Sequence, residues 1–216
     1  MIRSKDRALL ILLILWLATL ALSGYEPFDR LTWLLEVGPV LIAIPLLIWT
    51  GRFYRLTSLL YSLIFVHGLI LILGGHYTYA QVPLGFWIQD AFDLTRNHYD
   101  RFGHLAQGFV PAILAREILL RNTKLDPGKM LFFLVASVCL AFSAFYEIIE
   151  WWAALALDSD ADSFLATQGD VWDTQWDMFL ALIGAISSQL LLARWHDSQI
   201  ARVIDQALDD LAAERN

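Results

Sequence analysis

The chain alternates between long apolar stretches and short polar ones, and six apolar stretches approach or reach the length that crosses a bilayer. A transmembrane helix needs about 20 consecutive apolar residues. The stretches occupy residues 8–24, 32–50, 56–75, 102–120, 130–152 and 175–193. None has the short alternating pattern of an outer-membrane barrel strand. The pattern predicts an all-α, polytopic membrane helix bundle of about six transmembrane helices, forming one domain over residues 1–195.

A further helical pattern follows the sixth stretch, over residues 196–216. Its apolar positions recur at the spacing of one helix face. They are Ile200, Val203, Ile204, Ala207, Leu208 and Leu211. This pattern predicts an amphipathic cytoplasmic tail that lies on the membrane surface or against a second copy of the chain. A homo-oligomer is therefore a candidate assembly.

Composition agrees with a membrane protein and excludes several other classes. The chain is 58% hydrophobic and 17% charged, and its mean hydropathy is +0.55. Soluble domains are about 45–50% apolar and about 25% charged. A pI near 5.1 without a basic stretch excludes a nucleic-acid partner. The single cysteine, Cys139, excludes an internal disulfide and a cysteine-cage metal site.

The positions of Lys and Arg predict the orientation. Cytoplasmic flanks of membrane helices are enriched in these residues. In a six-span arrangement with a cytoplasmic N-terminus, twelve of the fifteen Lys and Arg residues lie on the inner side. Only Arg30, Arg96 and Arg101 lie on the outer side. Both termini are therefore expected in the cytoplasm.

The first apolar stretch has an alternative interpretation. Basic residues precede it and Ser23-Gly24 follow it, as in a secretory signal peptide. Cleavage near Ser23 would leave five spans in the same orientation. The many later spans favour an uncleaved anchor.

Ionisable residues cluster in three short segments at the ends of the last three spans. They are Asp100 and His104, which open the fourth span, Glu147 and Glu150, which close the fifth, and Asp170, Asp173 and Asp177, which open the sixth. Their spacings of three, four and seven residues place the members of each segment on one helix face. The predicted topology brings all three segments to the outer membrane face.

Small residues continue each acidic face into the membrane, and such residues mark helix–helix contacts in bilayers. They are Gly108, Ala112 and Ala115 after His104, Ser143 and Ala144 before Glu147, and Ala181, Gly184, Ala185 and Ser188 after Asp177. We therefore expect the acidic residues to lie over the buried interface between spans four, five and six, within one pocket.

The cluster has more acidic than basic groups. Its carboxylates are offset nearby only by Arg101, His104 and Arg96. Like charges at close range require protonation, separation in water or a cation. Carboxylates with an imidazole suit a divalent cation such as Mg²⁺, Mn²⁺, Ca²⁺ or Zn²⁺. The candidate metal ligands are Asp100, His104, Glu147, Glu150, Asp170, Asp173 and Asp177, and all of these except Asp170 are also the candidate catalytic residues.

Simpler roles compete with a functional site. A helix dipole favours acids at an N-terminus, which explains Asp100, Asp170 and Asp173 but not Glu147 and Glu150 near a C-terminus. The mid-span histidine, His67, is expected to be a hydrogen-bonded core residue. Two other histidines are expected to be loop residues, and four tryptophans either form an interfacial aromatic belt or equally line a site for a lipid or a glycan. They are His76, His98, Trp151, Trp152, Trp172 and Trp176.

The three segments together resemble the YjdF-like family of bacterial inner-membrane proteins. The residues that carry the resemblance are 99–104 (YDRFGH), 145–151 (FYEIIEW) and 168–178 (QGDVWDTQWDM). The resemblance implies a multi-pass protein of the inner (plasma) membrane rather than a particular activity. A more distant similarity to VanZ-like membrane proteins follows the same order of acidic motifs, and Glu150 and residues 170–172 depart from that pattern.

Three functions are compatible with these features. The first is a metal-dependent hydrolase or transferase that acts at the outer face on a lipid-linked or envelope substrate reached from the bilayer. The second is a binding or structural protein in which a cation joins the helices as a latch. A small transporter is less favoured, because a transport path normally needs polar groups near the midplane.

Overall fold

The computed structural model describes residues 4–157 and 167–214, and these residues form helices and connecting turns without a strand. The α-helices are α1 (Ser4–Ser23), α2 (Arg30–Thr50), α3 (Ser58–Tyr77), α4 (Pro83–Ala91), α5 (Tyr99–Asn122), α6 (Lys129–Leu157) and α7 (Asp173–Glu214), with a short 3₁₀ helix at Tyr79–Gln81. All six predicted apolar stretches are helical. The all-α fold predicted from the sequence is thus confirmed.

Among the described residues, four helices are long and apolar enough to cross a membrane. They are α2, α3, residues Lys129–Ala156 of α6 and residues Asp173–Gln206 of α7. Helix α1 contributes a shorter apolar helix, Arg7–Ser23. Helix α5 is outside this group, and polar and charged residues occur along its length as well as at its ends.

The helices form two groups joined through α3 and α5. Helices α1 and α2 pack on α3, and α5, α6 and α7 pack on one another. Trp16 of α1 is central to the first group, since its indole N–H donates to the Phe65 carbonyl at 3.1 Å. A Cβ on Gly68 would lie 2.0 Å from the Trp16 ring, so the indole packs directly on the α3 backbone.

The α5–α7 interface depends on the small residues that the sequence places there. A Cβ built on Gly108 would lie 1.8 Å from the Ala181 carbonyl oxygen, and one on Gly184 would lie 2.1 Å from the Leu105 carbonyl oxygen. Ala112 and Ala185 are fully buried in the same interface. The small-residue stripes therefore mark a helix contact, as predicted.

Two elements differ from the sequence-based boundaries. The sequence between the third and fourth apolar stretches predicts an outer loop over residues 76–99. This segment contains the 3₁₀ helix and α4, which begins with Pro83 at its first turn, where the missing N–H is tolerated. Helix α7 continues without a break through residues 196–214, so the predicted tail extends the last helix. Ile200 on that extension is buried, and Gln199 accepts a hydrogen bond from the Leu59 N–H at 2.9 Å.

Candidate functional site

The start of α5 positions the first two residues of the site. The Asn97 side-chain oxygen accepts the Tyr99 N–H at 3.0 Å, and its amide donates to the Val82 carbonyl at 3.0 Å. These bonds fix the point where the helix begins. One turn of α5 then separates Asp100 from His104, and both side chains are buried.

Three residues from two helices approach one another closely enough to share an ion. One potential ligand atom each from Asp100, His104 and Asp177 lies within 4.8 Å of the others. His104 Nε2 is 3.6 Å from Asp100 Oδ1 and 4.0 Å from Asp177 Oδ2. Ligands bound to a common divalent ion are roughly 3–4 Å apart, given metal–ligand bonds of 2.0–2.6 Å. The two distances from His104 Nε2 fall within this range.

Helix α6 contributes a carboxylate to the other side of the imidazole. Glu147 Oε1 lies 3.8 Å from His104 Nδ1, and Glu147 is 8% exposed. The N-terminal ends of α5 and α7 and the C-terminal part of α6 therefore meet at one end of the bundle, which we call the acidic end. This convergence agrees with the pocket expected from the sequence.

Several buried atoms at the acidic end have no hydrogen-bond partner among the described residues. They are His104 Nδ1, Glu147 Oε1, Asp177 Oδ1 and, on α3, His67 Nε2. Leaving one buried donor or acceptor unpaired costs about 1–3 kcal/mol. A ligand or ion bound among these atoms would supply the missing partners.

The other two aspartates are paired with arginines. Arg96 donates to Asp173 at 2.7 Å and lies 3.6 Å from Asp170, which also pairs closely with Arg101. The Trp172 backbone N–H, donating at 2.9 Å, and the neighbouring arginines lower the pKa of Asp170. Asp170 precedes α7. The expectation that it shares a helix face with Asp173 and Asp177 is therefore wrong.

A cavity of about 130 Å³ extends from the acidic end between α2, α3, α5 and α6. The rings of Tyr79 and Tyr146 form part of its wall. Its polar lining residues are Glu36, His67, Asp100, His104, Gln107 and Glu150. The last of the seven predicted residues, Glu150, thus lines this cavity rather than contacting the triad of Asp100, His104 and Asp177.

Two further residues of this cavity come from α2 and α3. His67 lines the cavity, and its Nε2 has no hydrogen-bond partner among the described residues. Glu36 is a cavity residue that the sequence did not single out. Glu36 is only 4% exposed. It is the single charged residue in the stretch 32–50, and a lone intramembrane charge is itself a signal of function.

A second polar network, at the opposite end of the bundle, was also missed. Glu117 is fully buried and pairs with His196 Nε2 at 3.0 Å and Arg121 Nη1 at 2.8 Å. It also accepts from the Thr57 hydroxyl at 2.8 Å. Arg116 makes two hydrogen bonds to Asp197, at 2.5 and 3.0 Å. This network joins α5 to α7 and to the start of α3 with its carboxylates satisfied, which indicates a structural role.

The remaining sequence candidates lie at the periphery. His76 Nδ1 is 2.8 Å from the Ser23 carbonyl and joins α3 to the end of α1. His98 lies 3.4 Å from Arg101. The four tryptophans are exposed, consistent with an interfacial position. They are Trp151, Trp152, Trp172 and Trp176. The sequence between the fifth and sixth apolar stretches predicts an acidic outer loop over residues 158–169, of which residues 158–166 lie outside the described residues.

Comparison with known proteins places the chain in a family. The family described as "Predicted membrane protein (DUF2238)" matches residues 8–198. The chain is 56% identical over 180 residues to the protein "Inner membrane protein YjdF" of Escherichia coli (strain K12), covering 83% of this chain and 86% of that relative. No solved structure matches the chain. The chain therefore belongs to the DUF2238 family of membrane proteins and, like its YjdF relative, is an inner-membrane protein.

Proposed function

We propose that the protein spans the inner membrane six times, with both termini in the cytoplasm and the acidic end at the periplasmic face. The twelve-to-three distribution of Lys and Arg supports this orientation. It also puts the Glu117 network at the cytoplasmic end, where Arg116 and Arg121 belong to the inner set of positive charges. Helices α1 and α5 then complete the six spans.

The orientation predicts the outcome of a reporter experiment. A reporter fused after Asn216 should score as cytoplasmic, and one inserted within residues 158–163 should score as periplasmic. The reverse pattern would move the site to the cytoplasmic face and remove the periplasmic substrate from consideration. Equal scores at both positions would show that α7 does not cross the membrane and would contradict the six-span arrangement.

We infer that the acidic end is a divalent-cation site with a role in chemistry on a membrane-delivered substrate. The single observation that carries this inference is the close approach of Asp100, His104 and Asp177 with unpaired buried atoms around them. A divalent ion in such a site polarises a phosphoryl or carbonyl oxygen, or activates water. The substrate class is a lipid-linked or envelope compound that reaches the site from the bilayer.

The geometry also suggests how the histidine is oriented. Its Nε2 faces Asp100 and Asp177, while its Nδ1 faces Glu147. A metal-binding imidazole usually donates its second N–H to a carboxylate, which fixes the ring and its tautomer. Glu147 is therefore a positioning residue for His104, and Asp100, His104 and Asp177 are the ligands. Asp173 and Asp170, held by arginines, border the site.

Turnover can be tested with the full chain in nanodiscs. Phosphorylated lipids are supplied with Mn²⁺, Mg²⁺, Zn²⁺ or Ca²⁺, and phosphate release is measured. We expect metal-dependent release that Asp177→Asn abolishes. Asp126→Asn is the matched control, because Asp126 is exposed in the loop before α6. Equal release by wild type and Asp177→Asn would contradict the catalytic role.

A specific observation favours a second candidate, a cation-dependent latch. The three sides of the site come from α5, α6 and α7, so one bound ion would hold three helices together. The latch predicts metal-dependent stability without turnover. A transporter is disfavoured because apolar packing around Ala112, Ile113 and Ala185 separates the acidic end from the satisfied Glu117 network.

A further inference from the structure

The cavity beside the triad is acidic and lies among apolar helices. Glu36 of α2 and Glu150 of α6 face it together with Asp100 of α5. None of the described residues that line the cavity is Lys or Arg. Within the described part of the chain, neither Glu36 nor Glu150 forms an ion pair with a basic residue. Such a group of carboxylates is costly unless a cation is close.

An unpaired nitrogen atom of a residue that lines the same cavity indicates that its polar groups serve a ligand. His67 Nε2 is buried without a hydrogen-bond partner among the described residues, and His67 lines the cavity. His104, only 4% exposed, also lines the cavity. A polar ligand that contacts both the carboxylates and the imidazoles would supply the partners that these buried groups lack.

The dimensions of the cavity restrict that ligand. A volume of about 130 Å³ is much smaller than the 300–1,000 Å³ of most small-molecule pockets. It suits a small cation rather than a sugar ring. A primary ammonium group has three N–H donors, which match three carboxylates better than a bulky trimethylammonium group with no donor. Tyr79 and Tyr146 add aromatic faces that attract a cation.

We propose that this cavity binds a primary ammonium group, with Glu36 and Glu150 as its principal carboxylate partners. The inference rests on the proposed function and names its substrate class. Asp100 and His104 belong to the triad and also line the cavity, so the two sites adjoin. In an ethanolamine phospholipid the ammonium and the phosphate are two carbons apart. An ammonium in the cavity therefore brings the phosphate to the divalent-cation site.

The test compares lipids and variants in the purified full-length protein. Native mass spectrometry in mild detergent measures retention of phosphatidylethanolamine against phosphatidylglycerol and phosphatidylcholine. We expect phosphatidylethanolamine to be preferred and the preference to fall about tenfold in Glu36→Gln, as for the loss of one charged partner. Glu26→Gln, in the exposed turn before α2, is the matched control. Glu150→Gln is an independent second variant in case Glu36→Gln fails to fold.

Three further outcomes distinguish a lipid from a free amine as the ligand, and the ammonium site from the divalent-cation site. Soluble ethanolamine that displaces the lipid completely would support the ammonium site with a free amine as its ligand. An Mn²⁺ stability gain retained in Glu36→Gln but lost in Asp177→Asn would show that the two sites fail separately. An unchanged preference in both Glu36→Gln and Glu150→Gln, or equal retention of phosphatidylcholine, would overturn the proposal.

Discussion

Gly108→Ala should prevent the protein from forming a stable bundle. The added Cβ would lie 1.8 Å from the Ala181 carbonyl oxygen, which is backbone and cannot rotate away. Helices α5 and α7 would have to separate along the interface that positions Asp100 and Asp177. We expect a loss above about 4 kcal/mol, which is exceptional for one methyl group. Thermal unfolding and monodispersity in detergent measure it.

Gly38→Ala is the matched control for that substitution. Gly38 also lies inside a membrane helix, α2, but no atom lies within 4 Å of a Cβ built there. Replacing a helical glycine by alanine in open space stabilises a helix by up to about 1 kcal/mol. If Gly108→Ala and Gly38→Ala melt alike, the close α5–α7 contact described above does not exist.

Glu117→Ala should cause the second large loss of stability. The substitution leaves Arg121 and His196 without their shared carboxylate, and it removes the acceptor of the Thr57 N–H and hydroxyl. Removing one partner of a buried charge pair costs about 3–5 kcal/mol. The melting temperature in detergent tests the prediction, with exposed Glu26→Gln as the control. A wild-type melting temperature would show that the network does not hold α3, α5 and α7 together.

The helices and the convergence of the acidic motifs could be predicted from the sequence. Apolar length identifies the six stretches, and consecutive helices that alternate direction bring the start of α5, the end of α6 and the start of α7 to one end. The small residues at Gly108 and Gly184 also indicated which faces meet. These features depend on local pattern and chain direction alone.

The cavity could not be predicted, because it depends on which faces of distant helices meet. His67 and Glu36 come from α3 and α2, far in sequence from His104, and no local spacing relates them. The split between unpaired and arginine-paired aspartates likewise depends on where α7 begins. Because it begins at Asp173, Asp170 stays in a turn within reach of Arg101.

The Glu117 network at the opposite end of the bundle could not be predicted for a similar reason. In the sequence, Glu117 and Arg121 have the pattern of an ordinary charged helix end, and His196 begins the predicted tail. Only the continuation of α7 past residue 195 brings His196 against Glu117. The difference between this satisfied network and the unpaired atoms of the acidic end distinguishes a structural cluster from a candidate site.

Divalent metal should stabilise the folded protein if the triad binds it. At a free Mn²⁺ concentration of 100 times Kd, the gain in free energy of unfolding would be about 2.7 kcal/mol. Asp177→Asn should remove this gain. Without metal, the same variant should be at least as stable as wild type, because the substitution relieves repulsion with Asp100 and Glu147.

Direct metal analysis is the most decisive measurement of the cation site. The purified full-length protein, Asp177→Asn, His104→Ala and Asp126→Asn are dialysed against Mn²⁺, and bound metal per chain is determined. We predict tight binding to wild type and Asp126→Asn, and its loss in Asp177→Asn and His104→Ala. Equal metal content in all four proteins, or none in wild type, would contradict a divalent-cation site formed by Asp100, His104 and Asp177.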